Sequence, residues 1–339
     1  MKSLDVVGIG NALVDQEFEV NDEFLRQHGI EKGMMTLIEE ADQDRLIAEL
    51  SQRGELKKQS GGGSAANSLV AFAQFGGQAF YCCKVANDEA GRFYRQDLER
   101  VGIRTNLAAQ NYDGKTGRCL VMVTPDAERT MRTFLGITAD LSVAELDEAA
   151  IAAAEYLYIE GYLITSNIAR EAIAHAKALA RKHGTKLAVT CSDPAMVKYF
   201  RDGIDLILEG GVDVLFCNQE EAHLLTGEAD PQAAMRELQQ YANTVAITLG
   251  KNGALLGDGV RQIAIPGVPV TAVDTNGAGD MFSGAMLFGL TRGLSLAEAG
   301  RLASHAAAEI VTEFGPRLSP QQQQRLLSTL ELPAAALSE

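Results

Sequence analysis

Short apolar runs separated by helix-periodic stretches constrain this chain more than any other feature. The runs lie at residues 4–9, 79–85, 156–159, 186–189, 212–217 and 245–249. Helical spacing fills the gaps between them, notably at residues 65–75, 90–101, 168–183 and 233–241. Strand and helix in alternation predict an α/β fold of three layers, with a mostly parallel sheet covered on both faces. With 339 residues, 46% of them hydrophobic, the chain has material for one large core, expected over residues 1–335. Two stretches, about 12–38 and 105–135, break the rhythm. Within the second, residues 117–124 and 129–135 flank Pro125-Asp126 and read as a β-hairpin. Neither stretch extends a parallel sheet easily, so a small separate sheet is expected. Near the end, residues 321–324 are a glutamine run read as solvated helix, and Ala334, Ala335 and Ala336 read as a frayed terminus.

Charge narrows the partners. A formal net charge of −15 disfavours nucleic acid and anionic membranes, and an anionic substrate must be drawn in by local groups. No run approaches the roughly 18 apolar residues of a membrane-spanning helix. Residues 1–5 pass straight into a strand-like run without a leader pattern, so a cytoplasmic protein is expected. Cys82, Cys83, Cys119, Cys191 and Cys217 are odd in number, lack metal-ligand spacing and read as buried thiols in a reducing compartment.

The densest chemistry is Asp274-Thr275-Asn276-Gly277-Ala278-Gly279-Asp280. It follows a strand-like run at 268–273 and opens a helix-like run at 278–291. A glycine-rich turn into a helix is an anion site, because free N–H groups and the positive end of the helix dipole converge there. Asp280 adds a carboxylate beside that site. A phosphate store would be repelled by it; a reaction that deprotonates a hydroxyl next to a phosphoryl group needs it. A mere helix start explains Asp280 but not the glycines and Asp274 with it. The groups expected to act are Asp280 as base and the amides of Gly277, Ala278 and Gly279 as the anion hole.

This segment resembles the C-terminal signature of the ribokinase-like (PfkB) family of sugar and nucleoside kinases, and other motifs extend the resemblance along nearly the whole chain. Gly61-Gly62-Gly63-Ser64-Ala65-Ala66-Asn67 is similar to the family's N-terminal signature, which implies substrate hydroxyls held by Gly62, Gly63 and Asn67; by itself it is an N-cap turn with Ser64 as the cap. Gly10-Asn11-Ala12-Leu13-Val14-Asp15 resembles the adenosine kinase branch, which implies that Asp15, with Asn11, grips a ribose diol. Asn218-Gln219-Glu220-Glu221 is similar to the family's Mg²⁺ and phosphate motif, carried by Asn218 and Glu221 largely through water. Thr248, Gly250 and Gly253 match a turn around ATP, although Asn252-Gly253 is equally a hairpin signal. The resemblance further implies a β lid, formed by the two irregular stretches, whose arginine meets the transferring phosphate. Arg129 fits that place; Arg132 is close by, and a solvated hairpin charge is an equal reading. Adenine is expected against the C-terminal helices near Ala307 and Gly315, and K⁺ near Asp274, Gly315 and Ser319.

The function so implied is ATP- and Mg²⁺-dependent phosphorylation of a primary alcohol. Tyr162 can stack on a base, favouring a nucleoside such as adenosine; Leu163 replaces an expected second aromatic and keeps ribose, fructose or 2-keto-3-deoxygluconate open as substrates. Either a monomer or a lid-mediated homodimer is compatible. A P-loop is absent, and Phe282 stands where a dinucleotide fingerprint needs glycine. A non-catalytic nucleotide- or sugar-binding protein is the third alternative, and Asp280 beside the anion hole argues against it.

Overall fold

The computed structural model of the protein describes residues 2–53 and 56–330. The alanine run at 334–336 lies outside the described residues. In chain order the strands are β1 (Leu4–Ile9), β2 (Leu13–Glu19), β3 (Met35–Leu37), β4 (Leu56–Gly62), β5 (Ala79–Cys82), β6 (Arg104–Thr105), β7 (Thr116–Val123), β8 (Arg129–Gly136), β9 (Ala154–Glu160), β10 (Lys186–Thr190), β11 (Val212–Asn218), β12 (Ala242–Thr248), β13 (Gly253–Gly257) and β14 (Gln262–Pro266).

Nine of them form one sheet in the order β14-β13-β12-β11-β10-β9-β1-β5-β6. From β6 to β12 every pairing is parallel, and only β13 and β14 turn antiparallel. Alternate side chains of each strand feed two separate cores. In β9, Leu157 and Ile159 join one, while Tyr156 and Tyr158 join the other. This two-sided burial is why the runs read as continuously apolar. The chain leaves β1 for β5 on one side and later returns to β9 on the other. Such a reversal opens a crevice at the carboxyl ends of the strands.

The other five strands form a small sheet in the order β3-β8-β7-β2-β4. The hairpin at 117–124 and 129–135 is its centre, as β7 and β8 pair antiparallel. Strand β4 was not expected from sequence. Its residues Leu56, Lys57, Lys58, Gln59, Ser60, Gly61 and Gly62 lack any β-branched or aromatic side chain, so the local signal is weak. It is recruited by pairing with β2 at the sheet edge, where lysines are tolerated.

One expected strand is absent. Residues 268–273 are irregular, with Val270 and Val273 exposed. Pro269 lacks the N–H a ladder needs, and the exposed valines have no sheet to bury them. The helix after the glycine turn runs Ala278–Thr291 as read from sequence. All five cysteines are buried and unbridged.

Candidate active site

The main cavity lies where the carboxyl ends of β1, β9, β10, β11 and β12 meet the small sheet. It is lined on the large-sheet side by Asn11, Glu160, Thr190, Asn218 and Thr248, and on the other by Leu13, Asp15, Cys119 and Met35. From β8 it receives Arg129, Met131, Thr133 and Leu135, the odd-numbered face of a strand with period two. Arg132 is on the opposite face and does not line it. Arg129 is the one cation among the described lining residues, and no carboxylate of the described residues pairs with it within 4.0 Å. Burial works against its charge, yet Tyr162 and the carboxylates of Asp193, Asp280 and Glu128 together hold its guanidinium above its ordinary pKa.

Gly277, Ala278, Gly279 and Asp280 all face this cavity. Gly277 is the N-cap of the helix Ala278–Thr291, at φ 75°, a conformation that favours glycine. The helical ladder begins with Met281 N–H on Gly277 O, so the first-turn amides precede it. Ala278 N–H leans on Thr275 O at 3.3 Å. A Cβ built on Gly279 would meet no atom within 4 Å, so the turn presents bare backbone to open space. The small sheet docks on this turn: Ala127 O, in the β7–β8 connection, accepts from Thr275 Oγ1 at 3.0 Å, and Glu17 of β2 accepts from Asn276 Nδ2 at 3.0 Å.

Asp280 is held by two donors, Ser64 Oγ at 2.6 Å and Asn67 Nδ2 at 3.2 Å. Burial raises its pKa above the ordinary aspartate value, opposed by those two hydrogen bonds and by Arg129 and Arg317. Ser64 therefore does not cap its helix, as the sequence suggested. The N-cap is Gly63, which has no side chain to bond, and Ser64 is free to reach Asp280.

Asn11, Asp15, Gly63, Asn67 and Tyr162 line the same cavity. Gly63 adopts φ 98°, and a Cβ there would overlap Asn11 O. Gly62 does not line the cavity; a Cβ on it would strike the Asp15 carboxylate, so glycine is what lets that carboxylate lie flat against β4. Burial pushes Asp15 up to about 7, with Arg317 pulling the other way. Tyr162 Oη reaches Asp193 at 3.4 Å. Leu163 is in the core beneath, not in the cavity.

Asn218 and Glu221 also reach the cavity, locked in a capping box: Asn218 Oδ1 accepts from Glu221 N at 2.8 Å, and Glu221 Oε2 accepts from Asn218 N at 2.7 Å. Burial pushes Glu221 up to about 8. Thr248 lines the cavity, whereas Gly250, Gly253, Ala307 and Gly315 do not. The carboxylate of Asp274 accepts from Asn276 N at 2.8 Å and Gly315 N at 2.9 Å, tying the glycine turn to the C-terminal segment. Ser319 caps the helix Pro320–Thr329.

Sequence reading missed Glu160. Fully buried at the end of β9, it accepts from Asn11 N at 2.6 Å and Ala65 N at 2.7 Å, and burial pushes it up to about 8. It clamps the two backbone segments that carry Asn11 and Gly63. An acid closing an apolar run was the available signal. For Glu17 and Arg317 no motif gave one.

A family model described as pfkB family carbohydrate kinase matches residues 32–323. The probable sugar kinase of Rhizobium etli CFN 42 superposes with a TM-score of 0.90 at 32% identity, covering 97% of this chain and 100% of that one. The adenosine kinase of Sinorhizobium meliloti gives 0.88 at 34% identity, covering 96% and 100%. The guanosine-inosine kinase of Escherichia coli (strain K12) is 29% identical over 254 residues, which are 73% of this chain and 58% of that protein. The chain thus spans less than two thirds of the length of that relative.

Proposed function

Because this chain belongs to the pfkB family of carbohydrate kinases, we propose that it transfers the γ-phosphoryl group of ATP to a primary alcohol of a nucleoside, with the 5′-hydroxyl of adenosine as its best acceptor. One arrangement carries the reading: a carboxylate, Asp280, fixed by Ser64 and Asn67 beside a bare glycine turn, across the cavity from the unpaired Arg129. A base next to an anion hole is what alcohol phosphorylation requires, and a pure binding site does not.

The residues fit the nucleotide. The open space at Gly279 gives room for a phosphoryl group against backbone N–H, and Arg129 supplies the local positive charge that the chain as a whole lacks. They also fit Mg²⁺ held chiefly by phosphates and water, since Glu221 faces the cavity with one oxygen committed to its own helix cap. Mg-ATP, when bound, supplies the phosphoryl group and neutralises part of its charge. A monovalent cation fits less well: Ser319 Oγ is already engaged with Gln322, and no step is assigned to K⁺.

In this reading Asp280 takes the proton of the acceptor hydroxyl. The amides of Gly277, Ala278 and Gly279 meet the charge that develops on the phosphoryl oxygens. Asp15, Asn67 and the backbone at Gly63 hold the vicinal hydroxyls, while Glu160 keeps Asn11 and Gly63 in register. The small sheet closes the cavity against water, which would otherwise compete as acceptor.

Arg129→Ala is expected to lower kcat roughly ten- to hundredfold, more than it raises KM, because its charge is unpaired until a phosphoryl group arrives. Steady-state kinetics check this. An unaffected Arg129→Ala with an impaired Arg132→Ala would transfer the role to the opposite face of β8.

The acceptor is chosen by the small-sheet wall. Leu13, Met35, Met131 and Leu135 with Tyr162 form an apolar enclosure that a free sugar leaves empty. Burying a base there is worth on the order of a few kcal/mol, enough for a tenfold or greater preference. Assayed with Mg-ATP, adenosine is expected to exceed other nucleosides, ribose, fructose and 2-keto-3-deoxygluconate in kcat/KM. A free sugar or sugar acid outperforming every nucleoside would refute the nucleoside assignment and leave the phosphotransfer chemistry standing.

A further inference from the structure

Arg317 lies in the C-terminal segment, outside every motif named above and outside the cavity lining. Its side chain is only 9% exposed. Its Nη1 pairs with Asp97 of the helix Glu89–Arg100, and its Nε donates to Asn67 Oδ1 at 3.0 Å. Asn67 in turn donates from Nδ2 to Asp280 Oδ2 at 3.2 Å. A row of polar contacts thus runs from Asp97 through Arg317 and Asn67 to Asp280, joining four separate elements.

The chemistry of the row leaves one orientation. A guanidinium has donors only, and an ionised carboxylate has acceptors only. An asparagine between them must turn its oxygen to the arginine and its nitrogen to the carboxylate. The reversed amide would face donor to donor and acceptor to acceptor. We propose that Arg317 is a positioning residue for phosphotransfer: it fixes the Asn67 amide so that nitrogen, not oxygen, is presented to Asp280. The proposal rests on reading Asp280 as the base. Arg317 is one of two guanidiniums acting on Asp280; the other is Arg129 of β8. The charge of Asp280 in turn raises the pKa of the acids that face it, Asp15 of β2, Glu160 and Tyr158 of β9, and Tyr162 beyond it. Losing Arg317 therefore removes a positive charge and frees the amide to flip, and both effects make ionised Asp280 less favourable.

The test uses the full chain in two readouts. One is the titration of ¹³C-labelled aspartate carboxyls by NMR in the substrate-free protein, with Asp280 assigned by its loss in Asp280→Asn. The other is the acid limb of the kcat–pH profile with the best acceptor of the panel. In Arg317→Met both should move upward by about one pH unit, a tenfold loss of rate below the limb. Arg317→Lys, which keeps a charged donor, should return most of the way to the parent values. If Arg317→Met does not fold because Asp97 loses its buried partner and keeps only Arg100 and the Gly61 amide, Arg317→Met/Asp97→Asn removes both charges and is expected to show the same displacement. A folded variant of either kind whose Asp280 titration and acid limb match the parent protein overturns the proposal. Full activity in Asp280→Asn would instead overturn the base assignment, and the NMR titration would still report on Arg317 because it needs no turnover.

Discussion

Asp280→Asn is expected to cut kcat roughly 10²–10⁴-fold while ATP and acceptor still bind, the usual worth of a positioned general base. The substitution is nearly isosteric, and the local hydrogen bonds survive it. The new amide can turn its oxygen to Asn67 Nδ2 and its nitrogen to Ser64 Oγ, since a hydroxyl both donates and accepts. Only the basicity is removed. The sign of the pH dependence follows from the environment. Burial raises the Asp280 pKa, so the carboxylate protonates at a higher pH than a free aspartate. Activity should therefore fall as pH drops through that raised value, and the residual activity of Asp280→Asn should lack this limb. A loss of less than tenfold would remove Asp280 from the mechanism.

Gly279→Val is expected to fold with a near-parent melting temperature and to lose turnover by roughly 10³-fold or more. No atom lies within 4 Å of a Cβ at this position, so the side chain is accommodated in the free protein at the modest cost of a β-branched residue in a helix. The isopropyl group would instead occupy the space left for the phosphoryl oxygens and keep them off the backbone N–H groups. Gly277→Val is the contrasting case. At φ 75° and with its Cβ driven into Pro316, it should destabilise the fold itself. Circular dichroism, thermal melts and steady-state kinetics separate the two. A folded Gly279→Val with normal kcat would make the turn a structural element only.

The large sheet was legible because parallel strands buried on both faces write long apolar runs, as at β9 and β11, and because helices of full length separate them. The glycine turn was legible because few helix starts combine two glycines with an acid. Strand β4 was not, since it pairs through its backbone and its side chains are those of a solvated edge. The supposed strand at 268–273 misled because its valines were counted while Pro269 was not. Ser64 was misread for a related reason. Serine before a helix ordinarily caps it, and only the distant Asp280 makes its hydroxyl more useful elsewhere. Arg317 was invisible because its value lies in a partner 250 residues away in sequence, and spacing along the chain carries no trace of that.

The small sheet is assembled from chain segments that the large sheet keeps apart. Strand β2 leaves directly from β1, and its parallel partner β7 arrives about a hundred residues later. Such pairing closes long loops before any contact rewards it. Ordering of this sheet is therefore expected to trail the docking of β1, β5 and the helix Ser64–Gln74, which bring its ends together. Arg129 and Asp15 both sit on it, so a molecule that has condensed its main core would still lack its guanidinium and one of its carboxylates. Catalytic competence should appear only with the last stage of folding, which makes recovered activity a stricter gauge of complete refolding than recovered helix content.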